Sequence, residues 1–314
     1  MSGIDSEAVF GQRIAELGLS SLKPSFENYG WTTIARFAFS VDYSPHQGQN
    51  DKMFVQTVLV PLTSDPNDAR VPAIRRLFFE CHTAITDEAH RTMTGPAQPD
   101  QVREMAGPER EARFDAYRKR FGQNKALHDL EPSNKLVDKL CHQQITGKLV
   151  HLKWNTIGRR DLEDEGETKD TYCQVDERGF FRQYSKTPDC IVDVSDTFLW
   201  HRAMMRRGCA MHLARLMDYD LHESLIDWYI LEMNRPPIDE RHERLTLRQI
   251  YNADVAIFKR LAELTRAGLG LELATGNYPL DKLLPSVLLE PRIIATVSPL
   301  KKNGAFLKII KRLR

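Results

Sequence analysis

The sequence predicts a mainly α-helical protein made of helical domains with a small β-hairpin insertion. Residues 196–235 contain no proline, and their apolar side chains recur at helical spacing. Hydrophobic residues make up 41% and charged residues 28% of the 314 residues, which is the ordinary range for a globular chain. Residues 171–185 are typical of two strands around the turn Asp176-Glu177-Arg178-Gly179.

Short helices are predicted for residues 6–40. Gly18 is placed to end the first of them, and Thr32 or Thr33 can cap the third. The pattern Leu17-Gly18-Leu19 … Phe26 … Gly30-Trp31 … Ile34 resembles part of a sterile-alpha-motif-type module, which implies contact with other proteins. The simpler interpretation of the same residues is a small helical cap on a larger core.

Residues 53–60 form an apolar run that fits either a strand or a short buried helix. A helix is predicted from about 69 to 91. It contains Asp87-Glu88-Ala89-His90, which spells a helicase motif, but the chain has no GxxxxGK[ST] phosphate loop. The prolines and glycines that follow, between 95 and 108, predict a linker and the main domain boundary.

The region 109–195 mixes several predicted elements. A charged helix runs to about residue 120 with acids early and bases late, as the helix dipole favours. Ser133 is placed to cap the next helix, and residues 148–154 alternate loosely, as a strand does. The acidic run around Glu163 has nothing to separate the pKa values of its carboxyl groups, so general acid–base catalysis is not expected there.

The stretch 196–235 predicts two helices joined near Tyr219–Asp220, a helical hairpin on which other elements can pack. A further amphipathic helix is predicted from 246 to 267, and a short apolar segment before Pro291. The apolar stripe predicted for the first helix of the hairpin consists of Phe198, Met205, Cys209, Leu213 and Leu216.

Metal and cofactor sites are not predicted. His201 and His212 are about 16 Å apart along a helix, too far to share an ion, and Cys209 with His212 offers only two ligands. The five cysteines include no CxxC pair and fit reduced thiols. The GxSxG, HExxH and dinucleotide motifs are also absent. We therefore predict no catalytic residues, no metal ligands and no cofactor, and we do not expect the chain to be an enzyme.

The formal net charge is only +1, so the chain as a whole is not expected to attract nucleic acid or membranes. Any electrostatic binding must depend on local clusters of charge. The last fourteen residues, 301–314, are basic and contain no acid. They could pack within or between subunits, contact phosphates, lie on an anionic membrane or form a frayed end. A second basic cluster on the central helix could instead pair with acids such as Asp239 and Glu240, or with others nearby. The candidate nucleic-acid-binding residues are Arg202, Arg206, Arg207, Lys301, Lys302, Lys308, Lys311, Arg312 and Arg314.

Several stretches resemble a family of uncharacterised repeated open reading frames from dinoflagellate genomes. The resemblance covers most of the chain and implies a virus-like or retroelement-like context, hence a gag-like protein. It does not extend to residues 170–195 or to the basic tail. It is carried by Arg75-Arg76-Leu77-Phe78-Phe79-Glu80, Gly107-Pro108-Glu109-Arg110-Glu111-Ala112-Arg113, Leu130-Glu131-Pro132-Ser133-Asn134-Lys135-Leu136-Val137-Asp138, Arg206-Arg207-Gly208 and Leu261-Ala262-Glu263-Leu264-Thr265-Arg266-Ala267-Gly268.

These features lead to one organisation and one functional expectation. We expect a self-assembling coat or nucleocapsid protein that packages nucleic acid, with RNA favoured, located in the cytoplasm or in a virion-like particle. It is not expected to be secreted or to bind a membrane; the alternatives are a protein–protein adaptor of a host cell without nucleic-acid binding, or an enzyme of unrecognised class. The predicted domains are a sterile-alpha-like helical module (1–45), a helical segment (46–94), a linker (95–108), a mixed helical and hairpin region (109–195), a helical domain (196–300) and a basic tail (301–314).

Overall fold

In a computed structural model the chain is mainly helical, as predicted. It divides into two compact units, Met1–Ala116 and Tyr117–Arg314, so the division falls after the predicted linker at 95–108. No helix within the described residues is long and apolar enough to cross a membrane. The structure describes residues 3–43, 51–65, 67–94, 104–122, 128–165, 170–175, 181–186, 191–237, 239, 242–266 and 278–299.

The first unit consists of helices of very different length. Residues 53–60, which could have been strand or helix, are helical: a π-helix Val55–Leu59 lies between two short α-helices. The α-helices are α1 (Glu7–Glu16), α2 (Lys23–Asn28), α3 (Ile34–Ala38), α4 (Lys52–Phe54), α5 (Val60–Thr63), α6 (Val71–Thr94) and α7 (Gly107–Phe121), whose last turn belongs to the second unit.

Capping residues set several of these boundaries. The Ser6 hydroxyl accepts a hydrogen bond from the Val9 amide, and Thr33 accepts one from the Arg36 amide. Gly18 follows α1 with a φ of 70°, a left-handed conformation that glycine adopts without strain. The predicted cap of the third helix and the predicted stop of the first helix are therefore confirmed.

Aromatic side chains form the core of the first unit. The ring centroids of Phe10 and Phe26 are 5.8 Å apart, and those of Phe37 and Phe78 are 5.5 Å apart, both in edge-to-face arrangements. These rings come from α1, α2, α3 and α6, so the short helices bury their apolar faces against the long one.

The second unit is built around the helix α10, ten of whose seventeen residues are buried. Two antiparallel strands, β1 and β2, pair from Asp170↔Lys186 to Val175↔Phe181, and the predicted turn between them lies outside the described residues. The elements after α7 are α8 (Asn134–Thr146), α9 (Arg160–Glu165), β1 (Asp170–Val175), β2 (Phe181–Lys186), α10 (Thr197–Leu213), α11 (Tyr219–Asn234), α12 (Leu247–Leu264), α13 (Leu284–Leu288) and α14 (Pro291–Thr296).

The predicted helical hairpin is present as α10 and α11, and Cys209, Leu213 and Leu216 of the predicted stripe are buried, but Phe198 is not. Trp200, Met204 and Met211 are completely or almost completely buried, whereas Phe198 is 65% exposed. The deep face of α10 follows the spacing of Trp200, Met204 and Met211, and Phe198 lies off that face, so its assignment to the buried stripe was wrong. The strand predicted at 148–154 was also wrong, because those residues are extended without a strand partner in the described part of the chain and lead into a 3-10 turn at Trp154.

Candidate nucleic-acid interface

A surface pocket of about 530 Å³ in the second unit brings together charged and apolar side chains from four segments of the chain. We call it the arginine pocket. Its volume lies within the usual range of ligand sites in proteins. Its lining residues are Asp129, Arg159, Leu162, Ile191, Val192, Asp193, Phe198, Leu199, Arg202 and Arg206.

The first two turns of α10 position one wall of this pocket. The Asp196 carboxylate caps the helix by accepting a hydrogen bond from the Leu199 amide at 2.8 Å. Phe198, Arg202 and Arg206 then follow at four-residue intervals, which places them in one row on the helix surface. The Arg202 guanidinium lies over the Phe198 ring, 5.6 Å from its centroid, a cation–π contact.

Arg206 is the unusual member of this row because it is only 4% exposed. Its Nη1 donates to the Asp129 carbonyl at 2.8 Å, and its Nε donates to the Ile157 carbonyl at 3.4 Å. No carboxylate among the described residues forms an ion pair with it, and its Nη2 has no hydrogen-bond partner among them. Buried charges in proteins are normally paired, so Arg206 has capacity left for an anion.

The electrostatics of the pocket reinforce this point. Burial lowers the pKa of Arg206 to about 10, and the positive charges of Arg159 and Arg202 act in the same direction. Arg206 therefore stays protonated at neutral pH; Arg159 and Arg202 repel it, and the more weakly acting Asp161 carboxylate attracts it. An anion placed among these groups would relieve that repulsion.

The other two arginines already have partners. Arg202 pairs with the Asp129 carboxylate, and Arg159 pairs with Asp161 at 2.9 Å. The Arg202 Nε is nevertheless a buried donor that has no partner within the described parts of the chain. Asp193 is exposed, and hydrogen bonds from the Ser195 side chain and backbone hold the pKa of its carboxyl group below the usual range. The pocket is thus close to neutral overall, and the unpaired charge is concentrated at Arg206.

Arg207 was predicted to contact phosphates, and the structure corrects this. Its side chain is fully buried and forms a two-pronged ion pair with Asp254, with Nη1–Oδ2 and Nη2–Oδ1 distances of 2.7 Å and 2.9 Å. Burial of the ion pair keeps solvent and ligands away from this guanidinium. Arg202 and Arg207 therefore pair with acids, as the alternative interpretation expected, but the partners are Asp129 and Asp254.

Asp254 is the centre of a buried polar network. Its carboxylate also accepts hydrogen bonds from the Tyr229 hydroxyl, the Trp154 indole and the His151 ring, each at 2.8 Å. Burial alone would raise the pKa of Asp254, but the charge of Arg207 and the hydrogen bonds from His151 and Arg207 outweigh it and keep the pKa well below the usual range. The network joins α10, α11, α12 and the segment before the 3-10 turn, so its role is structural.

His222 completes the network. Its Nε2 accepts a hydrogen bond from the Arg207 Nε at 3.0 Å, which leaves the proton on Nδ1. Burial and the charge of Arg207 lower the pKa of His222 well below the usual range, so the ring is neutral. Its Nδ1 is buried without a hydrogen-bond partner among the residues described.

The remaining predicted site residues belong to the basic tail. Lys301, Lys302, Lys308, Lys311, Arg312 and Arg314 all lie outside the described residues. Among the histidine, cysteine and acidic residues that the structure does describe, no group of three or more could hold a metal ion.

Comparison with protein-family models, curated proteins and solved structures finds no match for this chain. The function must therefore be inferred from the residues themselves. Sequence reasoning found Arg202 and Arg206 but missed Arg159, Asp129 and the exposed ring of Phe198. The four-residue spacing of Phe198, Arg202 and Arg206 was the signal that could have identified the row on α10.

Proposed function

We propose that this protein is a self-assembling structural protein of the coat or nucleocapsid type that packages nucleic acid, with RNA favoured. The observation that carries the proposal is Arg206, a buried cation at the wall of a pocket, without a carboxylate partner among the described residues. A backbone phosphate would supply the missing negative charge. Arginine suits this role because its planar guanidinium can donate two parallel hydrogen bonds to phosphate oxygens.

Self-association is supported by apolar side chains left exposed on the last helices of the second unit. Leu289 is 76% exposed and Ile294 is 48% exposed, and both belong to the α13–α14 region. Leu264, at the end of α12, is 40% exposed. Ion pairs such as Arg260–Glu290, at 2.8 Å, join the same helices. Apolar side chains beside charged ones are the composition expected of a subunit interface, and we assign self-association to this surface.

The basic tail is part of the same proposal. Its lysines and arginines would add phosphate contacts to those of the arginine pocket, and each contact would make binding more sensitive to salt. We further propose that β1 and β2 belong to a small hairpin inserted in the helical unit. A location in the cytoplasm or in a virion-like particle follows from the proposed function.

A double substitution, Arg159→Gln with Arg202→Gln, tests the pocket directly. Both side chains are partly exposed, so the fold should tolerate the change. We expect the affinity for a labelled single-stranded RNA, measured by fluorescence anisotropy, to fall at least severalfold at low salt. The slope of log affinity against log salt should flatten by roughly 0.7, the value for one phosphate contact, because the two substitutions remove positive charge around the single phosphate of the pocket.

The matched control is Arg235→Gln with Arg76→Gln. These arginines are also exposed and paired with glutamates, they lie outside the pocket and the proposed self-association surface, and their removal changes the net charge equally. If the control lowers the affinity and flattens the slope as much as the pocket substitutions do, binding depends on net charge and the pocket is not the phosphate site. If the unaltered protein binds no RNA even at low salt, the proposed function is wrong.

A further inference from the structure

We infer that the arginine pocket takes one nucleotide of a single strand, with the phosphate at Arg206 and the base on the exposed face of Phe198. This inference rests on the proposed function and narrows it to single-stranded nucleic acid. It is drawn from the row of side chains on α10, in which an exposed aromatic ring and a buried unpaired guanidinium lie two helical turns apart.

One end of the row is apolar and the other is positively charged, which matches the flat base and the negatively charged phosphate of a nucleotide. Phe198 is 65% exposed, and the exposed Ile191 lines the same pocket, so a flat apolar base can be covered there. Arg206 lies at the other end with the positive charge. Arg202 lies between them, and its guanidinium already contacts the Phe198 ring. It can therefore also contact a base that stacks on that ring. Base stacking on an aromatic side chain, beside arginines that contact the backbone, is how proteins bind single strands without sequence preference.

A duplex does not fit this arrangement. Its bases are stacked on one another, so no base face is free to contact Phe198. A duplex could still place phosphates near the outer arginines, but it would gain nothing from the aromatic ring. Single strands should therefore bind more tightly than duplexes, and the ring should account for the difference.

Asp193 provides a second check because its exposed, negatively charged carboxylate lines the same pocket. Removing this charge by Asp193→Asn should strengthen binding by about twofold at low salt, since only a screened, exposed repulsion is lost. If Asp193→Asn leaves the affinity unchanged, the bound strand does not lie in this pocket, and the inference is wrong.

The experiment compares Phe198→Ala with Phe39→Ala in the full-length protein. Phe39, in the first unit, is 73% exposed, so the two substitutions remove similar exposed rings. Anisotropy titrations would use a labelled single-stranded oligonucleotide and its blunt duplex. We expect Phe198→Ala to weaken single-strand binding by about tenfold and to leave duplex binding unchanged, and Phe39→Ala to change neither.

Two failures can be told apart. If single strand and duplex bind equally and Phe198→Ala has no effect, the inference is overturned; the proposed function then survives provided that binding still depends on salt and on the pocket arginines. If neither nucleic acid binds the unaltered protein at low salt, both the inference and the proposed function are overturned.

Discussion

Asp254→Asn is expected to destabilise the second unit by about 3–5 kcal/mol, the usual cost of breaking a buried ion pair by removing one partner. The substitution keeps the size of the side chain but removes the negative charge that compensates Arg207, which is fully buried. One of the two oxygens is also replaced by a donor, which cannot accept the hydrogen bonds that converge on Asp254. The loss should appear as a lower urea midpoint in circular dichroism.

Asp227→Asn is the control for this prediction. Asp227 is an exposed residue of α11, so the same change of charge should alter the free energy of unfolding by less than about 0.5 kcal/mol. If Asp254→Asn were equally mild, Arg207 would have to reach water or another acid, and the buried network would not be the centre of the second unit.

Gly208→Ala is expected to cost about 1–3 kcal/mol, although alanine is the better helix former. A Cβ atom at position 208 would lie 2.8 Å from the His222 Nδ1 and 3.1 Å from its Cγ. The ring cannot easily move away because its Nε2 accepts the hydrogen bond from Arg207. The substitution must therefore push α10 and α11 apart or break that hydrogen bond.

Gly11→Ala is the matched control because Gly11 is also helical and a Cβ atom added there would meet no other atom within 4 Å. It should be neutral or slightly stabilising. In a His222→Ala background, Gly208→Ala should become much milder, and this double-mutant cycle isolates the contact between the two positions. Equal costs of Gly208→Ala with and without His222 would contradict the close approach of the helices.

Local features of the fold could be predicted from the sequence because they depend on neighbouring residues. Ser133 caps α8 by accepting from the Leu136 amide, as predicted. Thr246 and Gln249 form a reciprocal capping box at the start of α12, where the amphipathic helix was predicted to begin. Pro291 was expected to stop the segment before it, and α13 does end at Leu288; Pro291 then also begins α14, a position that its fixed φ favours.

The buried network could not be predicted in the same way, because Arg207 and Asp254 are far apart in the sequence. A signal was nevertheless present in each helix. Arg207 lies among buried residues of α10, and Asp254 lies on the same face of α12 as Ile250, Ile257 and Phe258. A single charge on an apolar face predicts a buried partner, but not which one.

The arginine pocket was predictable only in part. Helical spacing places Phe198, Arg202 and Arg206 in one row, but it does not tell which side of α10 is buried. Asp129 belongs to a 3-10 turn before α8, and Arg159 directly precedes α9, so their positions beside α10 depend on tertiary packing. Arg206 lines a pocket, whereas Arg207 is buried in the interior. The two residues are neighbours on α10 and point to different sides of the helix, because successive helical residues are turned by about 100°.

The proposed function requires the protein to assemble on nucleic acid. The first measurement is size-exclusion chromatography with light scattering, recorded at 260 and 280 nm at low and high salt. We expect large particles that carry nucleic acid at low salt and lose it at high salt. A monomer free of nucleic acid at both salt concentrations would show that the proposal is wrong.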